Sequence, residues 1–554
     1  MKVLLGTLNA KFVHSNLAIR YLKAYAGNYD IELFETSIND NLMEAAINIL
    51  DRAPDVIAFS CYIWNIEATL KVASTIKEVL PKVVILLGGP EVSFDGGEYL
   101  KKYDFIDYIA QGEGEIIFKN FLEVIDRGEK SIDSVDGLIY RKKLEIIENK
   151  CNERLENLDD IPFPYEENIP DKIVYYEASR GCPFSCTYCL SGSSKGVRYF
   201  SIDRVKKDLK IFIDNKVELV KFVDRTFNSN KKFANEIWKF LIQSHGNTKF
   251  HFEIGADLLN EEDILLLRTA PKDLFQFEIG VQTTNIEVLK NINRIMDFQR
   301  VKENIIKIKE GDNIHCHLDL IAGLPGENID SFKNSFDMCM EINPEVLQLG
   351  FLKVLKGSTI YKEKEKYGIH YIKHPNYAVL YTSSLPYPQM RELIDMEKSF
   401  EIYYNSGIFN ITLSYLFSFY KSKFDFFMEL TRFLKQTDFY SRSIDLRDKF
   451  NLLYDFGLMS YGEVIKDIML HEYIINTKKT IVPEFLKREY PKNLKELLFI
   501  NKSKIINIFG EFDGKRLFII PVDVEICKHK DKYSIQKKKG LAVFNLATGK
   551  YCYI

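Results

Sequence analysis

The sequence predicts an α/β protein with two successive strand–helix units followed by a mainly helical C-terminal part. Short apolar strands alternate with amphipathic helices over residues 1–125, and a second such series runs from residue 173 to about 380. The first strands are apolar throughout rather than alternating, which is typical of parallel strands buried on both faces under helices. After about residue 380 the alternation gives way to helices rich in Phe and Tyr.

Length, composition and net charge limit the classes of protein to which this chain can belong. A chain of 554 residues has room for three or four domains, and 46% hydrophobic with 28% charged residues is ordinary for a globular protein. The net charge of −3 gives no field that would attract nucleic acid or an anionic membrane. No apolar run approaches the ~18 residues of a membrane span. The first residues predict a strand rather than a signal peptide, so we expect a cytoplasmic protein.

The first unit, residues 1–130, is predicted to be a doubly wound, flavodoxin-like domain. Its five expected strands are Lys2–Leu8, Ile31–Glu35, Val56–Tyr62, Val83–Gly88 and Tyr108–Ala110. Ligands of such domains bind beyond the carboxyl ends of the strands. Residues 131–170, with several prolines and acids, are expected to form a small hairpin and a linker.

The second unit, residues 171–380, is predicted to be a partial (β/α)6 TIM-like barrel. Its expected strands are Val174–Ala178, Leu219–Val223, Lys249–Ile254, Leu274–Gly280, His315–Ala322 and Val346–Phe351. In such barrels the chemistry lies at the carboxyl ends of the strands. Residues 381–554 are expected to be mainly helical, with strands at the end.

One group of cysteines demands a chemical explanation. Of nine cysteines, only Cys182, Cys186 and Cys189 are close together, in the segment YEASRGCPFSCTYCLSG. Three thiolates on one loop can hold an iron–sulfur cubane and leave one iron open for a reaction. Structural zinc sites have four ligands, and no other Cys or His lies within thirty residues on either side of the three cysteines. Three unrelated thiols are the remaining alternative.

The spacing Cys-x3-Cys-x-aromatic-Cys after a first barrel strand, with Tyr188 as the aromatic residue, resembles the radical S-adenosylmethionine (SAM) superfamily. The resemblance implies a [4Fe-4S] cluster on the three cysteines, whose open iron binds SAM. One electron then cleaves SAM to methionine and a 5′-deoxyadenosyl radical, and an electron donor such as flavodoxin or ferredoxin is implied.

By the same resemblance, SAM contacts are expected around the cysteine loop and at later strand ends. A Gly-Gly-Glu tripeptide that often serves this family after the second strand is absent here. The residues expected to bind SAM are Tyr188, Asp224, Glu253, Gln282 and Gly323.

Glycine-rich turns follow the fourth and fifth strands of the first unit, as Gly-Gly-Pro-Glu and Gly-Glu-Gly-Glu. These turns and the domain order resemble the cobalamin-binding domain of the B12-dependent radical SAM family. The implied cobalamin-binding residues are Thr7, Asn9, Ser60, Tyr62, Gly88, Gly89, Gly112 and Glu113. Many B12 domains donate a His to cobalt from Asp-x-His-x-x-Gly, a motif that this chain lacks. We therefore expect cobalamin without a protein His ligand; a degenerate domain without a corrinoid is the alternative.

The resemblance implies an enzyme that transfers a methyl group from cobalamin to an unactivated carbon of a small-molecule substrate. Alternatives are a rearrangement or a methylthiolation without methylcobalamin, and a non-catalytic sensor of corrinoid or SAM. Methylthiolating relatives carry extra N-terminal cluster cysteines, whereas only Cys61 and Cys151 precede the triad here. The sequence identifies no catalytic acid or base. His315, His317 and Asp319 share one face of a strand, where they line a cavity or serve the structure.

Overall fold

The computed structural model describes residues 1–128, 131–152, 154–193, 196–510, 517–529 and 532–554. The chain divides into two compact units, one of Met1–Phe332 with Leu349–Tyr387 and one of Lys333–Gln348 with Pro388–Ile554. Within the described residues, no helix has the length and apolarity needed to cross a membrane.

The first unit begins with a seven-stranded sheet. Its strands are β1 (Lys2–Asn9), β2 (Asp30–Ser37), β3 (Val56–Ser60), β4 (Val84–Gly88), β5 (Tyr108–Ala110), β6 (Leu138–Lys142) and β7 (Glu145–Glu148). They lie in the order β2-β1-β3-β4-β5-β6-β7, with the first five parallel and the last two antiparallel. The order of the parallel strands is that of flavodoxin-like sheets. This confirms the predicted fold class of the N-terminal part.

Helices cover both faces of this sheet. They are α1 (Leu17–Ala26), α2 (Leu42–Leu50), α3 (Ile66–Val79), α4 (Gly96–Lys102) and α5 (Gly114–Arg127). Successive residues of β1 serve two separate cores, because Leu4 packs with the α2–α3 side and Val3 with the α1–α5 side. Burial on both faces explains why the strands are apolar throughout.

Two details of the first sheet differ from the sequence-based expectation. The predicted hairpin extends the sheet as β6 and β7, so the sheet has seven strands rather than five. β3 ends at Ser60 rather than Tyr62. The chain turns there because the amide of Cys61 donates to the carbonyl of Gly88 and that of Tyr62 donates to the side chain of Asn65.

A six-stranded sheet follows in the order β15-β14-β13-β12-β11-β8, and pairing is parallel from β8 to β14. It confirms the predicted partial barrel. Its strands are β8 (Val174–Tyr176), β11 (Leu219–Phe222), β12 (Lys249–Glu253), β13 (Phe275–Gln282), β14 (Ile314–Ala322) and β15 (Val346–Phe351). A separate hairpin of β9 (Ser179–Gly181) and β10 (Val197–Tyr199) flanks the cysteine loop.

Helices alternate with these strands. They are α6 (Ile202–Asp214), α7 (Lys231–Ser244), α8 (Glu261–Arg268), α9 (Ile286–Asn291), α10 (Phe298–Lys309) and α11 (Ile329–Glu341). Alternate residues of β13 and β14 are buried, and the residues between them are partly exposed. One face of this sheet therefore packs against helices, and side chains on its inner face are partly exposed. The first unit ends with α12 (Thr359–Glu363), β16 (His370–Tyr371) and β17 (Val379–Tyr381).

The second unit is mainly helical. It contains most of α13 (Tyr387–Phe400), a π-helical turn (Glu401–Asn405), α14 (Asn410–Phe417), α15 (Lys423–Leu434), α16 (Leu446–Tyr461), α17 (Val464–Thr477), α18 (Leu494–Ile500) and α19 (Lys502–Phe509). A three-stranded sheet of β18 (Leu517–His529), β19 (Lys532–Asn545) and β20 (Lys550–Tyr553) closes it. Phe336, Phe400 and Phe427 pack edge to face in its core. The exact domain boundaries given from the sequence stay a prediction.

Candidate functional site

A cavity of about 830 Å³ lies in the first unit, at the carboxyl ends of β1, β3, β4 and β5. On the other side it is lined by the start of the barrel, including Tyr175, Glu177, Arg180 and Gly181. Gly181 directly precedes Cys182, so the cavity reaches the cysteine loop. Ligands of doubly wound sheets bind at this end, where the connections diverge to opposite faces.

Small residues line the cavity where it borders the sheet, and at two glycines the backbone itself forms the lining. Ala58, Gly88 and Ala110 border it between α1 and α5. Gly89 has a φ of +105°, and a Cβ built on it would lie 2.6 Å from the carbonyl oxygen of Cys61. Gly112 has a φ of +94°, and its Cβ would lie 2.8 Å from the sulfur of Cys151. Side chains are thus excluded where a bulky ligand would approach the backbone.

Seven of the eight residues predicted to bind cobalamin line this cavity, namely Asn9, Ser60, Tyr62, Gly88, Gly89, Gly112 and Glu113. Thr7 is outside the lining: it is buried, and its hydroxyl oxygen accepts a bond from the amide of Asn16 at 3.3 Å. The same amide donates to the hydroxyl of Ser60 at 3.2 Å. Thr7 therefore supports the cavity wall instead of forming it.

An ion cluster joins the first sheet's loops to the segment before the cysteines. Arg180 contacts the carboxylates of Glu113 at 3.0 Å, Glu115 at 2.9 Å and Glu177 at 2.9 Å. Arg198 on β10 also donates to Glu113. Burial would raise the pKa of Glu113, but the bonds from Arg198 and Arg180 outweigh it and the pKa is lowered. The sequence analysis missed both arginines. Their partners Glu113 and Glu115 lie more than sixty residues away along the chain, and such pairs leave no local pattern.

The cysteine loop is tied to two other segments at its middle. The amide of Thr187 donates to the carbonyl of Ile292 at 2.9 Å, and its own carbonyl accepts from the amide of Ile360 at 2.8 Å. The three cysteines of the loop are free thiols. The hydroxyl of Thr226 lies 3.8 Å from the sulfur of Cys182. The loop is thus anchored, and its three thiols are available as ligands.

The three thiols do not form a site for a single metal ion with the described residues. Within the described part of the chain, no group of three or more His, Cys, Asp or Glu side chains is placed to hold one metal ion. A cubane is held differently, because each thiolate binds a different iron and the sulfurs need not converge on one point. This geometry gives no support to the zinc alternative.

Comparison with known families agrees with this geometry. A model of the radical SAM superfamily matches residues 176–339, and a model of the B12 binding domain matches residues 3–122. The chain therefore contains a radical SAM domain and a B12 binding domain. The two domains imply a [4Fe-4S] cluster, SAM and cobalamin as cofactors. A third model, described as a protein of unknown function (DUF4080), matches residues 365–511.

Relatives of known activity cover part of the chain. The cobalamin-dependent radical SAM methyltransferase TokK of Streptomyces tokunonensis is 28% identical over 57% of this chain and 50% of its own length. A 2-(S-pantetheinyl)-carbapenam-3-carboxylate methyltransferase of Streptantibioticus cattleyicolor is 27% identical over 54% of this chain and 47% of its own length. The chain thus spans about half the length of these curated relatives.

Solved structures share the fold. The cobalamin-dependent radical SAM enzyme OxsB, with aqua-cobalamin and SAM bound, matches with a TM-score of 0.59 at 16% identity, covering 91% of this chain and 81% of that one. The methyltransferase TsrM of Kitasatospora setae, with cobalamin and a [4Fe-4S] cluster bound, matches with a TM-score of 0.55 at 14% identity, covering 68% and 79%.

The positions predicted for SAM differ in their surroundings. Tyr188 lies in the cysteine loop, and Gly323, with a φ of +87°, directly follows β14. Gln282 ends β13 with a φ of 69°, and its side-chain oxygen is buried without a hydrogen-bond partner in the described part of the chain. Glu253 ends β12, and burial raises its pKa to about 7. Strain and unpaired polar atoms at strand ends are typical of ligand sites.

Asp224 has a different environment from the other predicted SAM contacts. Its carboxylate accepts from the amide of Ala178 at 3.0 Å and from the hydroxyl of Ser179. Both oxygens are thereby used to hold the start of the β9 hairpin. This arrangement favours a supporting role for Asp224, and a direct contact with SAM stays a prediction.

Arg294 is a site residue that the sequence analysis missed. One of its terminal nitrogens lies 3.7 Å from the sulfur of Cys186 and 3.5 Å from the hydroxyl of Tyr188, and the other donates to the carbonyl of Gly280. Its Nε is buried without a partner among the described residues. Arg294 follows a short helix outside the cysteine motif, so spacing alone gave no signal.

The inner face of the barrel carries a polar network. Glu278 lies 3.3 Å from both Lys221 and His251, and the rings of His315 and His317 are joined at 2.8 Å. These groups occupy alternate positions of β11 to β14. The predicted shared face of the two histidines is therefore present, and a nitrogen of each ring faces the other.

Proposed function

We propose that this protein transfers a methyl group to an unactivated carbon of a small-molecule substrate. The observation that carries the proposal is the cavity, which runs without interruption from the glycine turns of the B12 binding domain to the residue before Cys182. Methyl transfer by two cofactors needs them to share one enclosed space. The printed names of TokK and of the carbapenam methyltransferase support the same reaction class.

The residues present fit all three cofactors. The thiols of Cys182, Cys186 and Cys189 would hold the cluster. The glycine turns would receive cobalamin, because a side chain at Gly89 or Gly112 would meet Cys61 or Cys151. When bound, the cluster and SAM supply a radical that removes a hydrogen atom from the substrate, and cobalamin supplies the methyl group.

The chain's own residues contribute binding, orientation and shielding. Arg294 carries its charge beside Cys186, where it would pair with the carboxylate of SAM. The unpaired oxygen of Gln282 would accept a hydrogen bond from the same ligand. The ion pairs of Arg180 with Glu113 and Glu115 fix the cavity wall where the glycine turns meet the segment before Cys182. A fixed wall would limit the entry of water to reactive intermediates.

One other reaction class has a specific observation behind it. An anaerobic magnesium-protoporphyrin IX monomethyl ester cyclase of Rubrivivax gelatinosus is 24% identical over 62% of this chain and 65% of its own length. Ring formation with the same cofactors is therefore the second candidate. Methylthiolation is less favoured, because Cys61 is buried in the sheet core and Cys151 lies beside the carbonyl of Gln111.

We place the small-molecule substrate against the inner face of the barrel, where Glu278 and Lys221 are partly exposed. We expect electrons from a reduced flavodoxin or ferredoxin, and a cytoplasmic setting in which the thiols stay reduced. Neither nucleic acid nor a membrane is expected as a partner.

Product analysis tests the proposal. Reconstituted protein would be incubated anaerobically with SAM and a reductant, with and without cobalamin. Methylation of cobalamin by SAM releases S-adenosylhomocysteine, and radical cleavage releases 5′-deoxyadenosine. We expect both products, with S-adenosylhomocysteine dependent on cobalamin. 5′-Deoxyadenosine without S-adenosylhomocysteine, in the samples that contain cobalamin, would contradict methyl transfer and favour the second candidate.

A further inference from the structure

His14 occupies a distinctive place in the cavity. It follows β1, and no other histidine is found among the described residues that line the cavity. Among the described residues of the cavity lining, its ring nitrogens are therefore the only imidazole donors to a bound ligand. The mechanism proposed above makes no use of it.

The backbone of His14 is fixed against the barrel. It forms a parallel bridge with Ile173, in which the amide of Ile173 donates to Val13 at 2.9 Å. The hydroxyl of Ser15 donates to the carbonyl of Ile173 at 2.7 Å, and the amide side chain of Asn9 donates to the carbonyl of His14 at 3.0 Å. Contacts from both sides thus hold the residue in place.

The ring is fixed as well. Nδ1 of His14 lies 2.7 Å from the hydroxyl oxygen of Tyr175 on β8. Within the described residues, no hydrogen-bond partner is found for the other ring nitrogen, Nε2. Histidines that bind metals are held in this way, with one ring nitrogen bonded to a neighbour and the other left for the metal.

The charge state of His14 also suits a metal ligand. Burial lowers its pKa, and the charges of Lys11 and Lys221 lower it further. The imidazole is therefore neutral at pH 7, and a neutral imidazole offers the lone pair that a metal needs. This supports the geometric argument and does not replace it.

We infer that Nε2 of His14 binds the cobalt when cobalamin occupies this cavity, with Tyr175 as the positioning residue that holds Nδ1. The inference rests on the proposed function, since it requires bound cobalamin. It departs from the expectation drawn from the missing Asp-x-His-x-x-Gly motif. Here the partner of the histidine comes from the barrel, 161 residues away along the chain, and no local motif records it.

Electron paramagnetic resonance of the Co(II) form tests the assignment without turnover. The whole protein would be prepared with ¹⁵N-labelled histidine and with unlabelled histidine, each loaded with unlabelled cobalamin. A histidine ligand splits the cobalt lines into doublets in the labelled protein and triplets in the unlabelled protein. Triplets in both samples would assign the nitrogen to cobalamin's own base. Unsplit lines would mean no nitrogen ligand. Either of these results overturns the inference.

Variants separate the ligand from its positioning partner. His14→Ala should lose the splitting that depends on the label, whereas His245→Ala, a matched change at an exposed histidine, should keep it. Tyr175→Phe should keep the splitting at saturation but bind cobalamin about 10-fold more weakly. Unchanged affinity in Tyr175→Phe would overturn the positioning role.

Failure of the inference and failure of the proposed function give different results. Wild-type protein that binds cobalamin without a histidine ligand refutes only the inference, and the proposed methyl transfer stands. Wild-type protein that binds no cobalamin refutes both.

Discussion

The ion cluster around Arg180 gives a prediction whose size follows from burial. Arg180→Met keeps the length of the side chain but removes the charge that Glu115 and Glu177 share. These carboxylates are 7% and 14% exposed, and Arg180 itself is 16% exposed. Removing one partner of a buried ion pair destabilises a protein by about 3–5 kcal/mol, because the other charge stays buried and unpaired. Glu113 keeps Arg198 as a partner, so we expect a loss near the lower figure.

Thermal unfolding converts this loss into a measurable shift. The first unit holds roughly 370 residues, and unfolding entropy is about 2.1 cal/mol/K per residue, so ~3 kcal/mol lowers its Tm by about 4 °C. Calorimetry on the whole chain would measure this transition. Lys101→Met is the matched control, since Lys101 pairs with Glu98 at the surface, where both are more than half exposed. An ion pair in water contributes little to stability, so the Tm of the control should be nearly unchanged.

The loss of stability in Arg180→Met should also depend on pH. Burial raises the pKa of Glu177, and the charge of Arg180 opposes that rise. Without Arg180 the carboxyl takes up a proton at higher pH, and protonation relieves the unpaired charge. The difference in Tm between wild type and Arg180→Met should therefore shrink as the pH falls from neutrality toward ~5. A Tm equal to that of the control, or a difference independent of pH, would refute this account of the cluster.

Three further predictions concern other parts of the site. Cys186→Ala should lose the cluster iron and all 5′-deoxyadenosine with an unchanged circular dichroism spectrum, and retained SAM cleavage would contradict the ligand assignment. Gly89→Ala should destabilise the first unit by about 2 kcal/mol and weaken cobalamin binding, because its Cβ meets backbone. Gly128→Ala is the control, because Gly128 also has a positive φ but an added Cβ would meet no atom within 4 Å. It should lose only about 1 kcal/mol of stability. Equal losses for the two variants in calorimetry would contradict the close contact of Gly89 with the backbone of Cys61. Burial and the charges of Glu278 and Glu253 raise the pKa of Asp319 to about 8. Its contribution to stability is therefore largest at low pH and is lost as the pH rises to about 8. The Tm of Asp319→Asn relative to wild type should rise over that range, and a difference that does not change with pH would contradict this account.

Local patterns predicted much of the fold. Runs of apolar residues located β1 and β4 within one residue at each end, because strands buried on both faces carry no polar positions. The glycine turns were predicted to line a ligand site, and Gly89 and Gly112 do line the cavity with positive φ. Such positions are visible in a sequence because few residues other than glycine tolerate that backbone conformation.

Features made by distant segments were not predictable in this way. The pairing of Arg180 with Glu115 and of Tyr175 with His14 joins residues far apart in the chain. Their contacts depend on the packing of one sheet against the other, which no spacing within the sequence expresses. The hairpin of β6 and β7 was predicted, but its place at the edge of the first sheet was not. In the second unit, composition indicated helices and offered no ligand class.

The most direct test of the central claim is an assay of iron and cobalt in the same anaerobic preparation, supplied with cobalamin during growth and recorded with its absorbance spectrum. The account predicts about four irons, the count of one cubane cluster, together with about one cobalt per chain. Iron without cobalt would leave the radical SAM domain intact but contradict the claim that the cavity brings cobalamin to the cysteine loop.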